Sequence, residues 1–234
     1  MLHHYPYAGL GAASFGWLEA RHHFSFGQYQ DPQKTGFGDL LVINDDIIQP
    51  KSGFAPHGHS DMEIITYVRR GAISHEDSQG NKGRTGAGDV QVMSAGTGIR
   101  HSEYNLEEEE TNLFQIWIAP DESGLPPRWD AAEFPKGQID DQLPLLVSGD
   151  GQAPLHINNR AAKIYAGRLG AGQSLTHKLA EDLSLRAYLL VSDGTMLIED
   201  IEASKGDGVS VEGRTHIEIA AREPSEILVI ELGA

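Results

Sequence analysis

The chain has 234 residues, no Cys, and 34 Asp plus Glu against 18 Lys plus Arg, for a net charge of -16. Without Cys there is no disulfide, no thiolate metal site and no Cys nucleophile. The acidic excess runs through both halves, with 8 basic against 15 acidic residues in 1–120 and 10 against 19 in 121–234. No segment therefore offers the clustered Lys and Arg on which binding to nucleic acid or an anionic membrane rests.

A small-molecule or protein partner is expected instead. Apolar runs such as Leu40 to Ile43 and Tyr188 to Val191 fall far short of the ~20 residues of a membrane helix. The N-terminus has no charged segment leading into an apolar one, which makes the cytoplasm the expected location.

Read in chain order, short β-branched or alternating runs predict strands at Leu40 to Ile48, Glu63 to Val68, Val90 to Met93 and Asn112 to Ile118. More follow at Lys163 to Leu169, Leu185 to Val191, Thr215 to Ala220 and Glu226 to Leu232. Gly and Asp clusters punctuate them, as in Arg70-Gly71, Ser78-Gln79-Gly80-Asn81, Gly86-Ala87-Gly88-Asp89, Ser192-Asp193-Gly194 and Lys205-Gly206-Asp207-Gly208. This is the punctuation of an all-β sandwich or barrel.

Asp121 to Gln142 is the least strand-like stretch, with Pro126, Pro127 and Pro135 around a short helix candidate at Trp129 to Phe134. The connection between two domains, 1–130 and 131–234, is placed there. An internal repeat supports two units: Tyr67 to Ile73 followed by Gly88-Asp89-Val90 is similar to Leu190 to Met196 followed by Gly206-Asp207-Gly208-Val209.

Eight of the eleven His lie in the first 101 residues, which directs attention to His57-Gly58-His59 and His101-Ser102-Glu103. On a strand, positions i and i+2 share a face. Each pair can thus present two ligand types into one barrel, together a site of three imidazoles and a carboxylate. Such donors suit Fe, Mn, Ni, Cu or Zn, and four of them in an octahedral set leave two positions for substrate or oxygen. Glu63 has the same parity as His57 and His59 and competes for the role of acidic ligand. His22, His23, His75 and His156 have no partner at ligand spacing. Phe54, Met93, Phe114 and Ile116 are candidates for the pocket wall, and ordinary core residues by default.

The pattern Gly53-x3-His57-x-His59-x3-Glu63-x7-Gly71, followed by Gly88-Asp89 and Gly96-Thr97-Gly98 before His101-Ser102-Glu103, resembles the two motifs of the cupins. Ser94 to Glu103, His23-Phe24-Ser25-Phe26, Val42 to Asp46, Asp61 to Tyr67 and Phe114 to Ile118 narrow the resemblance to the pirins, densely from about residue 16 to 130.

The resemblance implies two cupin (double-stranded β-helix, jelly-roll) barrels, the first holding one divalent transition metal and the second none. Iron comes first, with Mn, Ni, Co, Cu or Zn as alternatives. The implied ligands are His57, His59, His101 and Glu103; with Glu103 as the acidic ligand, Glu63 is left to orient a ligand imidazole. It implies a quercetin 2,3-dioxygenase that takes a flavonol and dioxygen and releases carbon monoxide; Glu103, a carboxylate expected among apolar barrel walls, is the candidate general base. The alternatives are a redox-sensing regulatory protein that reads its metal to a protein partner, and a cupin enzyme on another small oxygenated metabolite. In the second domain, His177-Lys178-Leu179 lacks the second imidazole of His-x-His, and His216 and Glu218 are expected on a solvated strand face.

Overall fold

A computed structural model describes residues 1–179 and 186–233. Its architecture is two cupin-type β domains, and among the described residues the only helical element is the 3-10 turn Tyr7–Gly9. Among the described residues, no helix is long and apolar enough to cross a membrane.

The N-terminal unit comprises Gly11–Pro135 with Leu155–Arg160. Its larger antiparallel sheet runs in the order Arg128–Ala132, Val90–Ser94, Glu63–Arg70, Thr111–Ile118, Leu40–Ile48, Leu18–His22, Gly11–Ser14. The smaller runs Ser52–His59, Ile99–Asn105, Ala72–Asp77, Lys82–Gly86. Apolar side chains from both sheets meet between them: Val68 and Leu113 from one and Ile73 from the other form one cluster, Ile64 and Ile99 belong to a second.

The C-terminal unit holds Met1–Leu10, Lys136–Pro154 and the chain from Ala161 onward. A single cut after residue 130 therefore does not divide the two units, because the first strand, Leu2–Tyr5, pairs antiparallel with Gly208–Glu212. That sheet continues through Arg186–Asp193, Ser225–Leu232, Lys163–Leu169 and Leu145–Ser148. Opposite it lie Ser174–Lys178, His216–Ala221, Thr195–Ile198 and Ile201–Ser204. Leu189, Val191, Val209 and Val229 pack against Met196, Ile198, Ile217 and Ile219 in its core. The predicted strand Leu185 to Val191 is present from Arg186, and Leu185 lies outside the described residues.

The internal repeat is visible as matched backbone geometry. Gly71 and Gly194 turn the chain at φ 74 and φ 77, the left-handed region that glycine enters without a Cβ penalty. A Cβ at either would also press on a backbone carbonyl, 2.9 Å from Glu110 O at Gly71 and 2.6 Å from Pro224 O at Gly194. Beyond them, Gly88 N–H donates to Val68 O at 2.7 Å and Gly206 N–H to Val191 O at 2.8 Å. The return bonds, Val68 N–H to Asp89 O and Val191 N–H to Asp207 O, are 3.2 and 3.1 Å.

Trp129 to Phe134 is not a helix. Arg128–Ala132 is an edge strand paired with Val90–Ser94, Trp129 opposite Met93. Residues before Pro favour extended backbone, and a neighbouring strand with unpaired groups decides the outcome for a segment of weak helical preference.

Candidate metal centre

Strand parity brings the two ligand pairs together. Along Ile99–Asn105 every second residue, Ile99, His101, Glu103 and Asn105, is buried, while Arg100 is exposed. His101 lies directly opposite His57 on Ser52–His59, and a bulge between His101 and Glu103 sets Glu103 against Phe54.

His57, His59 and His101 each bring a ring nitrogen within 4.8 Å of the other two. Their ring centroids are 4.5 to 5.0 Å apart, and Trp117 closes one side, edge-on to His59 at 5.0 Å. Glu103 joins a second such group with His101 and His75. The four predicted residues thus fall in two overlapping groups that share His101, both in the N-terminal unit.

The proton positions on these rings follow from their partners. His57 Nδ1 donates to Ala55 O at 2.8 Å, which turns its Nε2 toward His101. Asp77 accepts from Asn81 and from Gln79 N–H, and its carboxyl is held below the usual range by bonds from His75 and Asn81 that outweigh burial. It is therefore an anion, and His75 Nε2, 2.9 Å away, is the donor to it. Burial keeps His75 neutral despite that partner, so its Nδ1 accepts from His101 Nδ1 at 3.4 Å. That chain strips the proton from His101 Nε2.

His57 Nε2 and His101 Nε2 face each other 3.1 Å apart. That spacing suits one shared cation, since two nitrogens each ~2.1 Å from one ion and at right angles stand about 3 Å apart. Burial first, and then the neighbouring imidazoles, lower His101 to about 3 and His59 to about 4. At neutral pH both rings offer lone pairs without first losing a proton. The donor set fits a divalent transition metal.

Glu103 is 2% exposed and held from below by oriented amides. Gln115 Oε1 accepts from Trp117 Nε1 at 3.2 Å, which turns Gln115 Nε2 onto Glu103 Oε2 at 2.7 Å. Gln91 Oε1 accepts from Thr85 at 3.1 Å, which turns Gln91 Nε2 onto Glu103 Oε1 at 2.6 Å. Burial raises the Glu103 carboxyl to about 7 against the opposing bonds of Gln115, Thr66 and Gln91. These partners belong to one transverse row on the larger sheet, Gln91, Thr66, Gln115, Asn44 and His22, each directly opposite the next on the neighbouring strand. Beyond Gln115 the row lines a cavity of about 580 Å³ with Trp17, Phe26, Tyr29 and Phe54 among its walls.

Several placements differ from expectation. Glu63 has the opposite parity to Thr66, and its oxygens accept from Ser94 Oγ at 2.6 Å and Asn158 Nδ2 at 3.1 Å rather than from an imidazole. Counting parity from His59 to Glu63 fails because Ser60 to Met62 break the strand, with Asp61 at φ 47. Phe114 and Ile116 alternate with Gln115 and so face away from the cavity; the guanidinium of Arg69 lies 4.3 Å over Phe114. Met93 packs with Ile64, Ala95 and Ile99, and Phe54 lines the cavity. His75 was passed over for want of a nearby ligand in sequence, yet its ring stacks on Trp129 at 4.9 Å and bonds His101. The His75-x-Asp77 spacing on one strand is the signal that marks it.

The C-terminal unit contains a different arrangement. His177 is buried and bonds Glu231 at 2.8 Å with Tyr165 edge-on to its ring, Lys178 is exposed, and His216 and Glu218 are exposed on their strand. None of these belongs to a group of convergent ligand atoms among the described residues.

Removing the support of His101 should loosen the three-imidazole group. His75→Ala is expected to weaken metal binding about 10- to 100-fold, as loss of a ligand's hydrogen-bond partner does, with Asp77→Asn shifting it the same way. Competition against a metal-chelating dye measures this, and unchanged affinity in both variants would show that the proton chain has no influence.

Two cupin-type domains, the first with a histidine and carboxylate group able to hold a metal, define the class of the chain. The family model described as Pirin matches residues 8–118, and the model described as Quercetinase C-terminal cupin domain matches residues 145–232. A pirin-like protein of Caulobacter vibrioides is 47% identical, over 99% of this chain and 99% of its own length. Quercetin 2,3-dioxygenase of Escherichia coli is 40% identical, over 95% of this chain and 94% of its own. The crystal structure of the bacterial pirin YhhW from Escherichia coli in complex with nickel(II) has a TM-score of 0.92 and 38% identity, covering 100% of this chain and 99% of that one. The chain belongs to the pirin family.

Proposed function

We propose that the protein is a metal-dependent dioxygenase that opens a flavonol such as quercetin with dioxygen and releases carbon monoxide. His57, His59, His101 and Glu103 would hold one divalent transition metal, a class that includes the nickel(II) bound by its relative YhhW. The observation that carries this reading is the direct link between Glu103 and an aromatic-walled cavity, through Gln115. The names of relatives such as the Escherichia coli enzyme supply the substrate class.

When bound, the metal supplies Lewis acidity toward a substrate hydroxyl and an electron path between substrate and dioxygen. Glu103 takes the proton of the flavonol 3-hydroxyl, a role suited to a carboxyl held near neutrality. Gln91 and Gln115 fix its orientation and compensate its charge when it is ionised. The apolar and aromatic walls exclude water from the ring that opens. The C-terminal domain is proposed to be free of metal, its His177 committed to Glu231.

The test is oxygen uptake by metal-loaded protein with quercetin. Loss of the flavonol's visible absorbance with matching release of carbon monoxide is expected. Bound quercetin with neither oxygen consumed nor carbon monoxide released would remove the enzyme reading.

A further inference from the structure

One row along from the polar row, the larger sheet presents Val68, Leu113, Asp46 and Ala20, each opposite the next on its neighbouring strand. Val68, Leu113 and Ala20 are core residues. Asp46 is a carboxyl 2% exposed, and its Oδ1 has no hydrogen-bond partner among the described residues. The adjacent Asp45, on the opposite face, is fully engaged, with Arg69 at 2.6 Å and Asn112 Nδ2 at 2.7 Å.

A buried carboxyl without a partner costs stability, and an apolar side chain would complete this row at no such cost. Its position relates it to the site. Asp46 lines the same cavity of about 580 Å³ as Trp17, Phe26, Tyr29, Phe54 and Gln115. Burial, reinforced by the charges of Asp45 and Glu103, raises its pKa well above the usual carboxylate range. A carboxyl that keeps its proton can donate as well as accept, and it draws no cation to itself.

We propose that Asp46 is a specificity-determining residue that hydrogen-bonds a hydroxyl of a flat phenolic ring system held between the aromatic walls of this cavity. Flat walls select the rings by contact area, and the lone carboxyl in an otherwise apolar row selects those that carry a hydroxyl at that depth. A site built to hydrogen-bond a hydroxyl discriminates against analogues lacking it because its own polar group is then left unpaired. The proposal deepens the flavonol reading and rests on it for the ring chemistry of the ligand.

The experiment titrates the purified metalloprotein with quercetin and with flavone, which has the same rings and no hydroxyl, following tryptophan fluorescence. Asp46→Ala and Asp46→Val should each weaken quercetin about tenfold, the loss of one buried hydrogen bond, and leave flavone within about twofold. Asp46→Asn, which retains a donor, should recover most of the quercetin affinity. Equal quercetin affinity in wild type and all three variants overturns the proposal. So does a parallel loss for flavone, which would signal a damaged cavity, and so does failure of wild type to bind quercetin. Binding of quercetin that depends on Asp46 without oxygen consumption would remove the dioxygenase reading while sustaining the role of Asp46.

Discussion

His101→Ala is expected to lower bound metal from about one equivalent per chain to below a tenth and to abolish turnover, because this imidazole is the node of the site. Its Nε2 faces His57 and its Nδ1 is tied to His75. Truncation removes one lone pair of three and leaves the His75 acceptor without a donor. His59→Ala should act in the same direction, since its ring is the third member of the group. His177→Ala and His216→Ala, in the C-terminal unit, should leave metal content unchanged. Elemental analysis of the four proteins, each checked for β structure by circular dichroism, decides this. A second metal equivalent lost on changing His177 and His216 would make both domains metal-binding.

Glu103→Gln should reduce kcat by about 10²- to 10⁴-fold, the range for removing a general base. The cause is more than lost basicity. Both Glu103 oxygens accept amide N–H groups, from Gln91 and Gln115, so a glutamine must set its own NH2 against one of these donors. Metal content therefore has to be read in the same samples, to separate a lost base from a displaced side chain. Glu63→Gln is the control, because Glu63 faces Ser94 and Asn158, and its turnover should stay within about threefold of wild type. A larger loss from Glu63 than from Glu103 would reassign the carboxylate.

Much of the site was legible because it rests on the shortest period in protein structure. His57 with His59 and His101 with Glu103 are pairs at i and i+2, and strand parity alone directs each pair to one side. The duplicated Gly turns at Gly71 and Gly194 were equally local, and so were visible as a repeat. What stayed hidden depends on register between strands. The row Gln91, Thr66, Gln115, Asn44, His22 draws one residue from each of five strands, and no spacing along the chain announces it. The same is true of Asp46, which reads as half of an acidic pair until the sheet places Asp45 and Asp46 on opposite faces. Glu63 and Trp129 were misread for the complementary reason. Parity was carried across a break in the strand at Asp61, and a local helical preference was set against an edge that offered pairing.

The pairing of Leu2–Tyr5 with Gly208–Glu212 bears on how the protein is made. At ~5–20 residues per second of synthesis, the two partners emerge roughly 10–40 s apart. For that interval the first strand has no mate, while the N-terminal cupin unit, which begins at Gly11, is being completed on the ribosome. Contacts so distant in sequence close late and slow folding. A fragment beginning after residue 130 would keep Gly208–Glu212 with an open edge, the kind of surface from which strand-to-strand aggregation grows. Supplying residues 1–10 as a separate peptide should seal that edge, so the C-terminal unit is in effect a barrel whose last stave is cut from the opposite end of the chain.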